Sequence, residues 1–218
     1  EESSSEGESF AEYLKCHPEA VGSFGKAFPF FPTLIKLIDA KKALSIQVHP
    51  DDEYALEHEG EYGKNECWYV VQAEPGAKIV YGHTAKTPEE FAEKIDNEAW
   101  SELFTEVPVK AGDFFDVPSG TIHAIGGGIV ILETQQNSDT TYRVYDYNRT
   151  DDAGNPRPLH IQQTKDVTTI PHSVPTTNQQ VVTTDNGTRT TFVENKFFTV
   201  WKYDINGDYS DALSSTYH

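Results

Sequence analysis

Apolar and polar residues alternate along most of this chain, and a period of two is the signature of strands. Leu44, Ile46 and Val48 alternate with Ser45, Gln47 and His49, which puts Gln47 and His49 on one face and Ile46 and Val48 on the other. Strand-like runs follow at 66–71, 77–83, 107–117, 128–135, 141–147, 159–161, 180–184 and 189–205, and one precedes at 33–38. The run at 33–38 reads as a buried strand with one polar residue, Lys36. Asp39 to Lys42 then turns the chain. Asp185-Asn186-Gly187 is a hairpin turn.

Helical spacing is confined to short pieces. Phe10, Tyr13 and Leu14 predict a helix over 9–16, capped by Ser9 with Glu12 three residues on. An acidic helix is expected at 51–60. Thr87-Pro88-Glu89-Glu90 starts another, with a cap, a proline at the first position and acids in the first turn, continued by Phe91, Ile95 and Ala99. Many short strands with few helices predict a mainly β fold, an antiparallel sandwich or barrel with small helical insertions.

Composition narrows the function. The 218 residues carry 35 acidic against 17 basic side chains, a formal charge of −18, which disfavours nucleic acid and anionic membrane surfaces as partners. An anionic substrate would need local cations. Twelve Phe, eleven Tyr and three Trp argue for a folded core. Two cysteines, Cys16 and Cys67, form neither a metal motif nor a disulfide framework, so a reducing, cytoplasmic setting is expected. No apolar run reaches membrane-spanning length.

The run Gly112-Asp-Phe-Phe-Asp-Val-Pro118-Ser-Gly120-Thr-Ile-His123 resembles the second motif of the cupin superfamily, β-barrels of the double-stranded β-helix (jelly-roll) type. The stretch 45–69 resembles the first motif, with Gln47 where many cupins have His and a helical insertion between His49 and Glu66. Gln47, His49, Glu66 and His123 therefore form a candidate metal site. Two imidazoles, a carboxylate and a neutral oxygen suit one Zn²⁺ per chain better than the open Fe(II) set of oxygenases. Three cations fall near the motifs: Lys36, Lys64 and Arg143. They can hold a phosphate and stabilise an oxyanion. Cys67, on the opposite strand face from Glu66, reads as core.

Read together, Ile35–Ala40, Leu44–Asp52, Gly63–Tyr69, Val117–Gly126 and Glu133–Asp146 resemble the type I mannose-6-phosphate isomerases, most of all their short bacterial form. The likeness runs from about Phe10 to Ile205. It implies a zinc-dependent aldose–ketose isomerase that interconverts mannose 6-phosphate and fructose 6-phosphate through an enediol. It implies zinc ligation by Gln47, His49, Glu66 and His123. It makes Arg143 the catalytic arginine and places Lys36, Ser45, Lys64 and Glu133 in the active site, with Lys64 or Glu133 as acid/base and Lys36 or Ser45 on the phosphate. The expected layout is an acidic disordered tail over 1–9, a catalytic metal-binding cupin domain over 10–170, and a linker with the shortened start of a second cupin-like half over 171–218. A small sugar phosphate is the expected partner and a monomer or weak homodimer the expected assembly. Two alternatives remain: a sugar-phosphate-binding cupin without turnover, and a cupin Fe(II) dioxygenase, which gives no reason for the three cations.

Overall fold

The computed structural model describes residues 4–5, 8–28, 30–176 and 179–211. The acidic tail expected over 1–9 lies largely outside these residues. Within it, β1 (Ser4–Ser5) pairs with β2 (Glu8–Ser9). Next comes α1 (Phe10–Cys16), whose Ser9 cap and Glu12 form the expected reciprocal capping box. After α2 (Gly22–Gly25) the strands of the barrel begin.

The barrel is built from two facing antiparallel sheets. The first holds β3 (Thr33–Ala40), β5 (Glu66–Ala73), β8 (Phe114–Val117) and β10 (Ile129–Gln136), in spatial order β3-β10-β5-β8. The second holds β4 (Ile46–Val48), β6 (Lys78–His83), β7 (Phe104–Pro108), β9 (His123–Ala124) and β11 (Tyr142–Tyr145), in order β11-β4-β9-β6-β7. Trp68, Val70, Ile129, Ile131 and Val117 of the first sheet pack on Ile79 and Tyr81 of the second and on Ile125, just beyond β9. This is the expected cupin-type jelly roll.

The second sheet is covered on its other face as well. Ile46, Val48, Val80, Tyr142 and Val144 pack there on Phe91 and Ile95 of α4 (Pro88–Asp96), Leu103 of α5 (Trp100–Leu103), and Ile161 and Val167 of α6 (Ile161–Val167). Period two therefore sorts this sheet into an apolar face toward the helices and a face toward the barrel interior that carries Gln47 and His123. Helix α3 (Asp52–His58) fills part of the insertion between His49 and Glu66 and is capped by Asp51.

Four local expectations are corrected. The run 107–117 is two strands in different sheets, because the chain turns at Gly112 (φ 91°), where Asp113 Oδ2 accepts from Lys110 N. Residues 159–161 are no strand. The helix formers Gln162, Gln163 and Lys165 carry the segment into α6, whose Ile161 and Val167 cover the second sheet. The run 189–205 is a hairpin, β13 (Gly187–Glu194) and β14 (Thr199–Ile205), separated at Asn195, whose side chain accepts from Phe197 N and Phe198 N. Finally, β3 continues through Asp39 to Ala40 and is buried on one side only. It is an edge strand, and Ile35 and Leu37 are 62% and 70% exposed.

Strand β12 (Gln180–Thr184), joined to β13 by the expected turn, completes a three-stranded C-terminal sheet. It rests on the outer face of the first barrel sheet, where Val193 and Phe198 meet Cys67 and Phe192 stacks on Phe114. Cys67 is thus core, and burial pushes its thiol pKa up.

Candidate metal centre

Strand register brings the site together. Gln47 lies directly opposite His123 on one side and opposite Arg143 on the other, so the three share the inner face of the second sheet. Across the barrel, Trp68 is opposite Glu133 and Glu133 opposite Lys36, while Glu66 is opposite Gln135. Gly63 lets the chain enter β5 closely: a Cβ there would lie 2.3 Å from the Asp51 carbonyl carbon. Lys64 N then donates to Pro50 O, which delivers Lys64 and Glu66 to His49.

His49, Glu66 and His123 are each 1% exposed, and their ligand atoms lie within 4.8 Å of one another. Glu66 Oε2 is 3.4 Å from His49 Nε2 and Glu66 Oε1 is 3.3 Å from His123 Nε2. Gln47 Nε2 is 3.4 Å from His123 Nε2, with Gln47 Oε1 3.4 Å from Ser45 Oγ. The same amide turned over presents its oxygen to the histidine.

The protons of both imidazoles are committed elsewhere. His49 Nδ1 donates to Thr140 O at 2.9 Å and His123 Nδ1 to Thr121 O at 2.8 Å. Both Nε2 atoms therefore aim lone pairs at a carboxylate. Burial pushes the His49 pKa down to about 3, helped by the Lys64 ammonium, and burial lowers that of His123. Burial works against the charge of Glu66, but the Lys64 ammonium, 3.1 Å from Oε2, holds its carboxyl well below the usual range. Glu66 Oε2 nevertheless accepts no hydrogen bond of good geometry.

The Lys64 ammonium answers this cluster of buried acceptors from one side only, since it pairs with Glu66 Oε2 and reaches His49 while His123 Nε2 and Glu66 Oε1 face each other. Two ligand atoms about 2.1 Å from a tetrahedral ion lie about 3.4 Å apart, and each imidazole Nε2 has a Glu66 oxygen at about that distance. Neutral imidazoles with their other nitrogen on a backbone carbonyl are the usual form of histidine ligands. The donor set fits a metal ion.

Comparison with known proteins bears on what the site serves. The family profile "Phosphomannose isomerase type I, catalytic domain" matches residues 2–70. A mannose-6-phosphate isomerase of Streptococcus mutans is 55% identical over 86% of this chain and 59% of its own length. A probable mannose-6-phosphate isomerase of Bacillus subtilis is 45% identical over 97% of this chain and 67% of its own length. The crystal structure of the mannose 6-phosphate isomerase from B. subtilis superposes with a TM-score of 0.86 at 45% identity, covering 92% of this chain and 64% of that one.

This chain belongs to the type I mannose-6-phosphate isomerase family. It spans about three fifths to two thirds of the length of the family members it matches.

The other residues singled out in the sequence for this family lie on the same inner surfaces. Lys64 is 5% exposed and 3.2 Å from His49 Nε2. Glu133 is buried, 3.3 Å from Lys36 Nζ. Burial raises its pKa, and the charge of Glu66 adds to this. Lys36 also donates to Gln135 Oε1, and a third of its side chain is exposed. Ser45 is buried beside Gln47. Arg143 makes no ion pair among the described residues, and its Nε is buried without a partner. Two contributions have no signature in the sequence: the carbonyls of Thr140 and Thr121, since backbone acceptors are common to every residue, and the indole N–H of Trp68, which touches both Glu66 and Glu133.

A pH dependence follows for the family fold without metal. A histidine whose folded pKa lies below its unfolded value of 6.5 keeps its full stabilisation above that value and loses it as pH falls from 6.5 toward the folded pKa. For His49 the window runs from 6.5 to about 3. His123, His83 and His172 are lowered by burial in the same direction, while the raised pKa of Glu133 works the opposite way. At about pH 5.5, His49 alone costs about 1.4 kcal/mol, or about 3–6 °C in Tm for a chain of this size. Thermal melts in chelator at about pH 7.5 and 5.5 should show that drop, and a higher Tm at the lower pH would refute it.

Proposed function

We propose that this chain interconverts mannose 6-phosphate and fructose 6-phosphate by moving a proton between C1 and C2 through an enediol. The observation that carries the reading is the buried His49–Glu66–His123 cluster with its unsatisfied Glu66 oxygen, in a chain 45–55% identical to proteins named for that reaction. Gln47, His49, Glu66 and His123 would hold the ion, and their donor set favours Zn²⁺. When bound, the ion would supply Lewis acidity toward the substrate's carbonyl and hydroxyl oxygens.

The chain's own residues divide the remaining work. Arg143 extends from the strand beside Gln47 with no carboxylate pairing it among the described residues, which suits it to the negative charge that develops on the enediol oxygens. Glu133 has a carboxyl raised by burial, and this brings its proton exchange closer to neutral pH. Lys64 Nζ stands at the opposite side of Glu66, within reach of the same centre. These two are the candidates for accepting the proton from one carbon and returning it to the other. Lys36, a third of whose side chain reaches solvent, is assigned to the phosphate, with Ser45 beside Gln47 as the second candidate contact.

A coupled isomerase assay on purified protein tests the reading. Conversion should vanish in excess chelator and return with added Zn²⁺. Conversion that survives exhaustive removal of metal would refute the ion's role, and mannose 6-phosphate binding with no conversion would leave binding alone as the function.

A further inference from the structure

Trp68 lies two residues beyond Glu66 on the same strand face and is 1% exposed. Its ring meets that of His123 edge to face, with centroids 5.3 Å apart. Its single N–H is 3.1 Å from Glu66 Oε1 and 3.2 Å from Glu133 Oε2, and so points between two buried carboxylates on neighbouring strands. A buried indole needs one acceptor. Two converge here, although bringing two carboxylates together in a low-dielectric interior is unfavourable.

The consequence for Glu66 is directional. The indole donates to Oε1, so Oε2, the oxygen facing His49 and Lys64, is the one left without a hydrogen bond. For Glu133 the same N–H holds Oε2 while Lys36 lies at Oε1, which fixes the plane of the carboxylate. We propose that Trp68 is a positioning residue whose one N–H sets two carboxylates at once, Glu66 for the metal ion and Glu133 for the substrate. This rests on the metal-dependent reading above.

The test removes the donor and keeps the shape. Trp68 is replaced by 3-benzothienylalanine, in which sulfur stands where the N–H was, alongside Trp68→Phe and His123→Ala. Zn²⁺ affinity is read by competition with a chromophoric chelator, folding by circular dichroism, and ligand geometry by the visible spectrum of the Co²⁺-loaded chain. The parent should bind one Zn²⁺ per chain. The isosteric chain should fold like the parent, bind Zn²⁺ about 10- to 100-fold more weakly and show an altered Co²⁺ spectrum. Because it preserves packing, the isostere decides the matter even where Trp68→Phe fails to fold. Parent-like Zn²⁺ affinity in the isosteric chain, with His123→Ala losing the ion, would overturn the role of Trp68 and leave the metal reading standing. A parent chain that takes up no Zn²⁺ would overturn both.

Discussion

Replacing Glu66 with Ala is expected to abolish stoichiometric metal binding and to cost about 3–5 kcal/mol of folding stability in the metal-free chain. The two effects have separate causes. Glu66 is the only carboxylate in the His49–Glu66–His123 cluster, and both of its oxygens lie within 3.4 Å of an imidazole nitrogen. Without it, two imidazoles and a weakly ligating amide remain, one strong ligand short of the three that hold a catalytic zinc. The stability loss comes from Lys64. Its ammonium is buried 3.1 Å from Glu66 Oε2, and truncation removes the one carboxylate that pairs with it among the described residues. Glu66→Gln keeps the volume and one acceptor oxygen and separates the causes: metal should still be lost, while part of the packing is retained. Metal analysis with urea denaturation of the chelated proteins reads both quantities. An alanine variant that keeps one equivalent of Zn²⁺ would remove Glu66 from the ligand set.

Replacing Arg143 with Ala should reverse that pattern, lowering turnover by roughly 10²–10³-fold while metal content stays at the parent level. Arg143 is opposite Gln47 on the inner face but ligates nothing, and it has no ion-pair partner among the described residues. Its removal therefore strands no carboxylate, and folding stability should move by no more than about 1 kcal/mol. Arg143→Lys should recover only part of the activity, because a point charge does not reproduce the planar fork of a guanidinium. Steady-state kinetics with metal analysis on the same samples makes the comparison. Parent-like kcat in the alanine variant would end the proposed role.

How much of this was legible in the sequence depends on whether the determining contact is local. Period two placed Gln47 and His49 on one face and Cys67 opposite Glu66, and the structure has both arrangements. Glycine and proline marked the turn before His123. What lay beyond reach was set by pairing between distant segments. Arg143 stood out as a cation near the motifs and family resemblance gave it a role, but its place beside Gln47 exists because 142–145 pairs with 46–48 across nearly a hundred residues. Trp68 has the right face by periodicity, yet its contact with Glu133 exists only because β10 lies between β3 and β5. The run 107–117 is apolar enough to read as one strand, and which sheet each end joins is not a local property. The same holds for Ile35 and Leu37, whose exposure reflects an edge position rather than their own character.

The strand that carries Gln47 is only three residues long, and the row from Arg143 through Gln47 to His123 runs across it. A slip of one residue would turn Gln47 toward the helices and swing Ile46 or Val48 in among the ligands. What forbids the slip is Ile46 and Val48 themselves, seated among Phe91, Leu103 and Tyr142 on the far side of the sheet. The aim of the polar row is thus held by side chains with no chemistry of their own. A loosened helical layer would disable the site without altering a single residue in it.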